Sequence, residues 1–144
     1  MESFGPDGSP RPGGGTITAF EVPSGSGLRT DSYGYVGYRT NPRFDSLLAK
    51  VIARSASDRF EDAAAKATRA LEELRVEGVP TNVDLFVAAL SHPTVRAGEA
   101  HTRFVDEHMA ELLAAVGNRR EHLPSDAPSR ANSLGGPSGP RLAA

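Results

Sequence analysis

Hydrophobic and polar residues alternate in the N-terminal third of the chain, which is the pattern of half-buried strands. The alternation covers residues 16–22, and shorter extended segments follow at residues 28–31 and at the tyrosine-rich residues 33–38. Residues 46–54 form the strongest apolar run, which we interpret as a buried central strand. A helix is the alternative for this run, because Leu and Ala suit both structures.

After residue 58 the apolar spacing lengthens to three and four residues, which predicts helices. The first helix covers residues 58–75, and Asp58 with Glu61 has the spacing of a capping box at its start. Its apolar stripe consists of Phe60, Ala64, Ala67, Leu71 and Leu74. A short strand is expected at residues 76–79.

Two further helices are predicted downstream. One opens with the capping-box pattern of Thr81 and Asp84 and ends at Leu90, and the other begins near Thr102. Their apolar stripes consist of Val83, Phe86 and Leu90, and of Val105, Met109, Leu112 and Val116. Strands followed by helices predict an α+β fold, in which two or three helices pack on a small antiparallel sheet.

Composition limits the part of the chain that can fold. Residues 1–27 contain seven Gly and four Pro, and residues 117–144 contain four Gly, four Pro and four Ser. Such segments bury too little apolar surface to offset the entropy cost of ordering the chain. We therefore expect a flexible lead over residues 1–14, one folded domain over residues 15–116 and a disordered tail over residues 117–144.

Charge and cysteine content exclude several classes of function. The net charge of −2 argues against nucleic acid and membrane surfaces as partners. Without cysteine the chain has no disulfide and no thiolate nucleophile, which fits a reducing cytoplasm. It shows no signal peptide and no apolar run long enough to span a bilayer, so we expect a cytoplasmic protein.

The histidines show no metal-ligand spacing, so no metal site is predicted and all four are expected at the surface. They are His92, His101, His108 and His122.

A series of motifs in a fixed order carries a resemblance to a known family. These motifs occupy residues 12–20, 25–31, 37–38, 44–52, 70–74, 77–82 and 98–107. Together they resemble the C-terminal domain of biotin carboxylase, the ATP-dependent ligase component of acyl-CoA carboxylases and pyruvate carboxylases. The resemblance covers the chain from Met1 to about Leu113, and it implies an antiparallel sheet of the hybrid-motif type.

The resemblance also implies a catalytic residue. In this family ATP and bicarbonate form carboxyphosphate, and CO₂ is transferred to N1 of biotin. Arg29 matches the family's arginine that stabilises the negative oxygen of the deprotonated ureido group, for which a planar, permanently charged guanidinium is suited. Without the resemblance, a surface ion pair of Arg29 with Asp31 or Glu21 is the simpler interpretation.

Other matched residues receive weaker assignments. Thr102 corresponds to a position near the adenine pocket, although a helix N-cap explains it equally well. Asp45 and Ser46 are expected to accept hydrogen bonds from nearby backbone groups at the turn before a strand. Lys50 is expected to reach a carboxylate or to extend its charged end outward.

The resemblance implies biotin, ATP and magnesium as cofactors of the complete enzyme, with the ATP-grasp portion and the biotinyl carrier domain as partners. The ATP-binding and magnesium-binding motifs and the biotin attachment motif of the family do not occur in the sequence. We therefore expect the chain to begin inside the domain, through a truncated or split gene or an internal start. Alone it is expected to bind none of these cofactors tightly and to have no carboxylase activity.

The alternative is a stand-alone, non-catalytic binding module that associates with a carboxylase partner. An apolar patch left without its cover would form the contact surface in that case. The patch consists of Tyr33, Tyr35, Tyr38 and Phe44.

Overall fold

The computed structural model describes residues 2–5, 7–41, 43 and 45–122, the last three of them without side chains. The strands are β1 (Glu2–Phe4), β2 (Pro10–Pro12), β3 (Ala19–Glu21), β4 (Leu28–Ser32), β5 (Ala49–Ala53) and β6 (Arg75–Glu77). The helices are α1 (Phe60–Glu73), α2 (Val83–Ser91), α3 (Pro93–Arg96) and α4 (Phe104–His122). The predicted tail from residue 123 onward lies outside the described residues.

The α+β fold is confirmed, with the strands arranged as three antiparallel pairs rather than one sheet. β1 pairs with β2, β3 with β6 and β4 with β5. In the described part of the chain β5 has β4 as its sole partner, so the prediction of a central strand at residues 46–54 is wrong. The prediction of a strand rather than a helix there is confirmed over Ala49–Ala53.

An irregular segment, residues 15–18, precedes β3 and is hydrogen-bonded on two sides. The Ile17 N–H donates to the carbonyl of Tyr38, and the Ile17 carbonyl accepts from the Gly37 N–H. On the other side, the Thr18 N–H donates to the carbonyl of Glu77. The regular strand predicted at residues 16–22 is therefore confined to β3, because the backbone of residues 15–18 bonds to the loop at residues 37–40 as well as to β6.

The first hydrophobic core forms around this segment. Ile17 is fully buried and packs with Leu48 just before β5. The surrounding half-buried side chains are Phe20, Tyr38, Val76 and Val79. Residues 33–38 form a loop instead of the predicted third extended segment, since Tyr38 turns inward to this core.

The second core lies between α2 and α4. Its buried residues are Leu85, Phe104 and Leu112, and Phe4 of β1 packs against them. The predicted stripe of the last helix is therefore partly wrong, because Phe104 is buried while Val105 is 42% exposed.

The N-terminal lead, predicted to be flexible, contains the β1–β2 hairpin. Phe4 reaches the second core, and Gly8 lies so close to α4 that a Cβ there would meet Met109 Cγ at 2.7 Å. A few apolar contacts with a helix hold this segment in spite of its Gly and Pro content.

Helix α4 also continues beyond residue 116, where the tail was predicted to begin. Arg119 Nη1 donates to Glu72 Oε1 of α1 at 3.0 Å, and Val116 packs on the second core. These two contacts extend the helix across the predicted boundary.

Neither predicted capping box forms. The N-cap of α1 is Arg59 and that of α2 is Asn82, and neither makes a side-chain capping bond. Glu61 instead pairs with Arg59 and with Arg96 of α3, and both arginines hold the pKa of its carboxyl below the usual value. A carboxylate bound to two guanidinium groups does not turn back to the helix terminus.

Within the part of the chain that the structure describes, no helix has the length and apolar character needed to cross a membrane. The cytoplasmic location stays a prediction.

Gly78 is expected to tolerate no side chain. It has φ +86°, and a Cβ would lie 2.0 Å from the Thr16 carbonyl oxygen, in the irregular segment of residues 15–18. Gly78→Ala should therefore lower the free energy of unfolding by clearly more than the about 1–2 kcal/mol expected for positive φ alone. Urea unfolding of the full chain measures the difference.

Gly37→Ala is the matched control, because Gly37 has φ +92° with no atom within 4 Å of the added Cβ. Equal losses of stability in the two variants would contradict the close approach at Gly78.

Candidate functional site

The candidate site is the exposed face of the β4–β5 hairpin. In its register Arg29 lies opposite Ile52 and Asp31 opposite Lys50. Because residues two apart on a strand share a face, these four side chains lie on the same side of the hairpin. The structure thus brings Lys50 and Arg29, two of the residues singled out by the sequence, onto one surface.

Arg29 is held there by a weak ion pair. Its Nη2 lies 3.1 Å from Asp31 Oδ2, and the two side chains are 70% and 51% exposed. An exposed pair of this kind contributes between 0 and about 1 kcal/mol. The simpler interpretation of Arg29, a surface pair with Asp31, is thus what this chain shows, and little energy opposes turning the guanidinium toward another acceptor.

The hairpin itself is fixed by a contact from α1. Lys66 Nζ donates to the carbonyl of Ser26 at 3.2 Å and to that of Arg54 at 3.0 Å, one on each strand end. Gly27, at φ +76°, lets the backbone of Arg54 lie this close to β4, because a Cβ at residue 27 would be 2.3 Å from the Arg54 carbonyl oxygen. The turn before Arg29 and the end of β5 are therefore clamped together on the helix.

Asp45 and Lys50 lie near the N-terminal end of β5. Asp45 Oδ1 accepts from the Leu47 N–H at 3.0 Å, which is the local backbone bond expected of it. Lys50 is exposed, with no hydrogen bond or ion pair to its cross-strand neighbour Asp31. Ser46 is half-buried, and no bond from its hydroxyl to a backbone group confirms the expected role.

Three tyrosines lie in the loop that follows β4. The rings of Tyr33 and Tyr35 both meet the ring of Tyr38 edge to face, at 5.5 Å. Burial raises the pKa of the Tyr33 hydroxyl, and the neighbouring Tyr38 and Asp45 add to the effect. Tyr33 and Tyr35 are 48% and 61% exposed, as expected for an uncovered patch, whereas Tyr38 packs in the first core, contrary to the prediction. Phe44, the fourth member of that patch, lies outside the described residues.

An apolar groove of about 570 Å³ opens beside β5. Its apolar walls come from three of the five stripe residues of α1 and from the whole predicted stripe of α2. These residues are Ala67, Leu71, Leu74, Val83, Phe86 and Leu90. The stripes were predicted to be buried, yet Phe86 is 50% exposed and none of the six belongs to the buried core. The buried faces of the helices are instead marked by Ala64, Ala70, Leu85 and Val87.

The groove adjoins an open strand edge. The Arg54 N–H donates to the Gly27 carbonyl, so residues 50, 52 and 54 direct their backbone groups toward β4. Ala49, Val51 and Ala53 then direct theirs away from β4, and among the described residues no backbone partner pairs with them there. Ala49 and Val51 also line the groove.

Thr102 belongs to a different part of the fold. It is exposed in the turn before α4, which begins at Phe104, so it is not the residue next to the helix start. Helix α4 packs on α2, whereas the hairpin that carries Arg29 packs on α1. No contact of Thr102 in the described structure links it to Arg29.

The prediction that all histidines lie at the surface is wrong for His92, whose side chain is 11% exposed. The His92 side chain lies beside those of His108 and Glu111 of α4. Sequence spacing gave no sign of this group, since fifteen residues, including α3, lie between the two histidines.

Comparison with known proteins gives a consistent result. The family model of the biotin carboxylase C-terminal domain matches residues 2–107. A pyruvate carboxylase of Aspergillus terreus is 38% identical over 115 residues, which are 78% of this chain and 9% of that protein. A biotin carboxylase of Halalkalibacterium halodurans is 35% identical over 98 residues, 68% of this chain and 21% of that protein.

Solved structures agree with the sequence comparison. A single-chain, multi-domain long-chain acyl-CoA carboxylase superimposes with a TM-score of 0.76 at 46% identity, over 79% of this chain and 11% of that one. The biotin carboxylase domain of a single-chain bacterial carboxylase gives a TM-score of 0.70 at 31% identity, over 78% and 29%. The chain therefore spans less than a third of the length of these relatives.

Lys66→Met is expected to loosen the clamp on the hairpin. Loss of two charged hydrogen bonds at a half-exposed site should lower the free energy of unfolding by about 1 kcal/mol. The Arg54 N–H donates to the Gly27 carbonyl at 2.7 Å. Its hydrogen exchange should accelerate by more than the loss of global unfolding free energy accounts for. Arg69→Met, an exposed cation of the same helix, serves as the control. Equal exchange at Arg54 in the two variants would argue against the clamp.

Proposed function

We propose that this chain, which belongs to the family of biotin carboxylase C-terminal domains, supplies the C-terminal part of a biotin carboxylase. The complete unit would carboxylate biotin with ATP and bicarbonate. The chain would act when joined to the ATP-grasp portion and would be inactive alone. Membership in the family supports the class of reaction. The need for a partner is supported by coverage, because the chain spans 9% and 21% of the length of the two relatives described above.

The observation that carries the proposal is the state of Arg29. The Arg29 side chain is 70% exposed, and its partner Asp31 is itself exposed. The hairpin that carries it is held by Lys66, which binds the backbone just before β4 and just after β5. A group with a fixed backbone and a weakly held end can exchange a solvent-screened carboxylate for a charged oxygen of a substrate.

The chemistry assigned to Arg29 is electrostatic. When the ureido N1 of biotin loses its proton, negative charge gathers on the ureido oxygen, and a guanidinium donates two hydrogen bonds to such an oxygen in a fixed plane. Enclosure by the partner would strengthen this contact, because water no longer screens the charge. Lys50 on the same face adds positive potential without being assigned a proton transfer.

ATP and magnesium would be bound by the partner, since the family's ATP-binding and magnesium-binding motifs do not occur in this sequence. A role of Thr102 near the adenine stays a prediction, and no contact of its side chain supports it.

The apolar groove supplies the docking surface of the proposal. Its occupant would be an extended strand of the ATP-grasp portion that adds to the open edge of β5. Such a strand would satisfy the outward backbone groups of Ala49, Val51 and Ala53. Its apolar side chains would cover the α1 and α2 stripes, whose helical periodicity indicates burial although solvent reaches them here.

The second candidate is the stand-alone binding module, which would use the same groove without supporting catalysis. The exposed groove and tyrosines favour it as much as they favour the catalytic part. The role of Arg29 distinguishes the two candidate functions, because a binding module needs contact area but does not need a guanidinium that can reach a substrate.

Arg29→Ala should remove activity without unfolding the chain. The full chain is mixed with the ATP-grasp portion of the long-chain acyl-CoA carboxylase relative, and biotin-dependent ATP hydrolysis is recorded. Mixing should produce activity, and the substitution should lower it at least about 100-fold, the usual cost of losing one oxyanion donor. Its effect on stability should stay within about 1 kcal/mol.

Arg69→Ala, which removes an exposed arginine of α1, is the control and should keep full activity. Binding of the partner with no activity on mixing would favour the non-catalytic module over the catalytic part.

Phe86→Glu should prevent docking at the groove. A carboxylate at the groove wall would be desolvated when the partner's strand covers it, so affinity measured by calorimetry should fall at least about tenfold. Because Phe86 is 50% exposed, the free chain should remain folded by circular dichroism.

Val105→Glu is the matched control, an apolar residue that is 42% exposed on α4 and does not line the groove. Similar losses of affinity in both variants would place the docking surface elsewhere.

A further inference from the structure

Two imidazoles and a carboxylate converge at the junction of α2, α3 and α4. They belong to His92, His108 and Glu111, and one ligand atom from each lies within 4.8 Å of the others. None of the three lines the groove or lies on the hairpin face that carries Arg29. The function proposed above makes no use of them.

The fold explains why they meet. Helix α2 ends at Ser91, and His92 is the N-cap of α3, with Pro93 starting the next helix at once. This turn directs His92 toward α4. There His108 and Glu111 are three residues apart, so they lie on neighbouring positions of one helix face.

We propose that His92, His108 and Glu111 bind a divalent transition-metal ion of the zinc class. Imidazole nitrogen and carboxylate oxygen are the donors that such ions take in three-ligand protein sites, with water in the fourth position. Glu111 is exposed, which leaves that position open to solvent.

The distances suit this ion. His92 Nε2 and Glu111 Oε1 are 3.4 Å apart. Two ligands of a tetrahedral ion with bonds of about 2.0–2.1 Å are separated by roughly 3.4 Å. The pair is therefore already spaced for binding, and the site is complete when a rotation of the His108 side chain brings its nitrogen from within 4.8 Å to the same spacing.

Hydrogen bonding orients His108 for this role. Its Nδ1 lies 3.0 Å from the carbonyl oxygen of Phe104, which can only accept, so Nδ1 carries the proton. The lone pair is then on Nε2, the atom left for a metal. A backbone carbonyl bound to the other ring nitrogen is the usual support of a metal-binding histidine.

His92 must change tautomer to bind. Its Nδ1 accepts from the Thr94 N–H at 3.2 Å, so in the metal-free protein Nε2 carries the proton and faces Glu111. Metal binding at Nε2 would place the proton on Nδ1 and release the Thr94 N–H. The site is thus coupled to the start of α3, and exchange at the Thr94 amide reports on it.

Ring packing restricts both imidazoles. His108 stacks on Phe104 with ring centres 4.6 Å apart, and His92 meets Phe104 edge to face at 5.0 Å. Since Phe104 belongs to the second core, the ligands are attached to buried structure. A bound ion would fasten the α2–α3 turn to α4 and would stabilise the folded chain by mass action.

The test is titration of the full, tag-free chain with cobalt(II) and zinc(II) chloride. We expect one ion per chain, visible absorption of tetrahedral cobalt, and a rise of Tm with zinc. Faster exchange of the Thr94 amide should accompany binding. His108→Ala and Glu111→Gln should each weaken binding more than about tenfold.

His101→Ala is the matched control, because His101 faces Glu107 at the same 3.4 Å and the metal-binding group does not include it. Glu111 is exposed, so Glu111→Gln keeps the test valid should a histidine variant fail to fold. Absence of cobalt absorption, or equal weakening by His101→Ala, would overturn the proposal.

Discussion

The fold depends on residues 15–18, a short segment that is hydrogen-bonded along both sides. One side is bonded to the loop that ends in Tyr38, and the other is bonded to Glu77 of β6. Ile17, at its centre, is fully buried. Close packing on this segment leaves room for glycine alone at two points, where a Cβ at Gly15 would lie 2.2 Å from the Gly78 oxygen and one at Gly78 would lie 2.0 Å from the Thr16 oxygen.

The position of the candidate site follows from that constraint. Leu48 packs on Ile17 immediately before β5, so the strand begins at a fixed place, and Lys66 holds its other end on α1. Arg29 then sits on a rigid hairpin although its own side chain is exposed. The same arrangement buries one face of α1 and α2 and leaves most of their predicted apolar stripes along the groove.

Local pattern predicted much of this. Both strands of the hairpin, three of the four helices and the surface pair of Arg29 with Asp31 agree with the sequence, because each depends on neighbours close in the chain. The motif order identified the family through residues that the structure shows to be constrained, such as Gly27 in its turn and Gly78 against Thr16.

What the sequence did not predict depends on distant contacts. The N-terminal hairpin is held by α4 rather than by its own composition, and Glu61 binds Arg96, 35 residues away, instead of closing a capping box. The helical stripes were read correctly as apolar, but periodicity cannot tell which segment covers them. The grouping of His92 with His108 depends on the α2–α3 turn in the same way.

Hydrogen–deuterium exchange of the full chain, with and without the ATP-grasp portion of the acyl-CoA carboxylase relative, tests the central claim most directly. The outward amides of Ala49, Val51 and Ala53 should exchange fast in the free chain and become protected in the mixture. The amides of residues 50, 52 and 54, already bonded to β4, should change little. Unchanged exchange along β5, or protection confined to α4, would contradict the account of this chain as the C-terminal part of a biotin carboxylase completed at that edge.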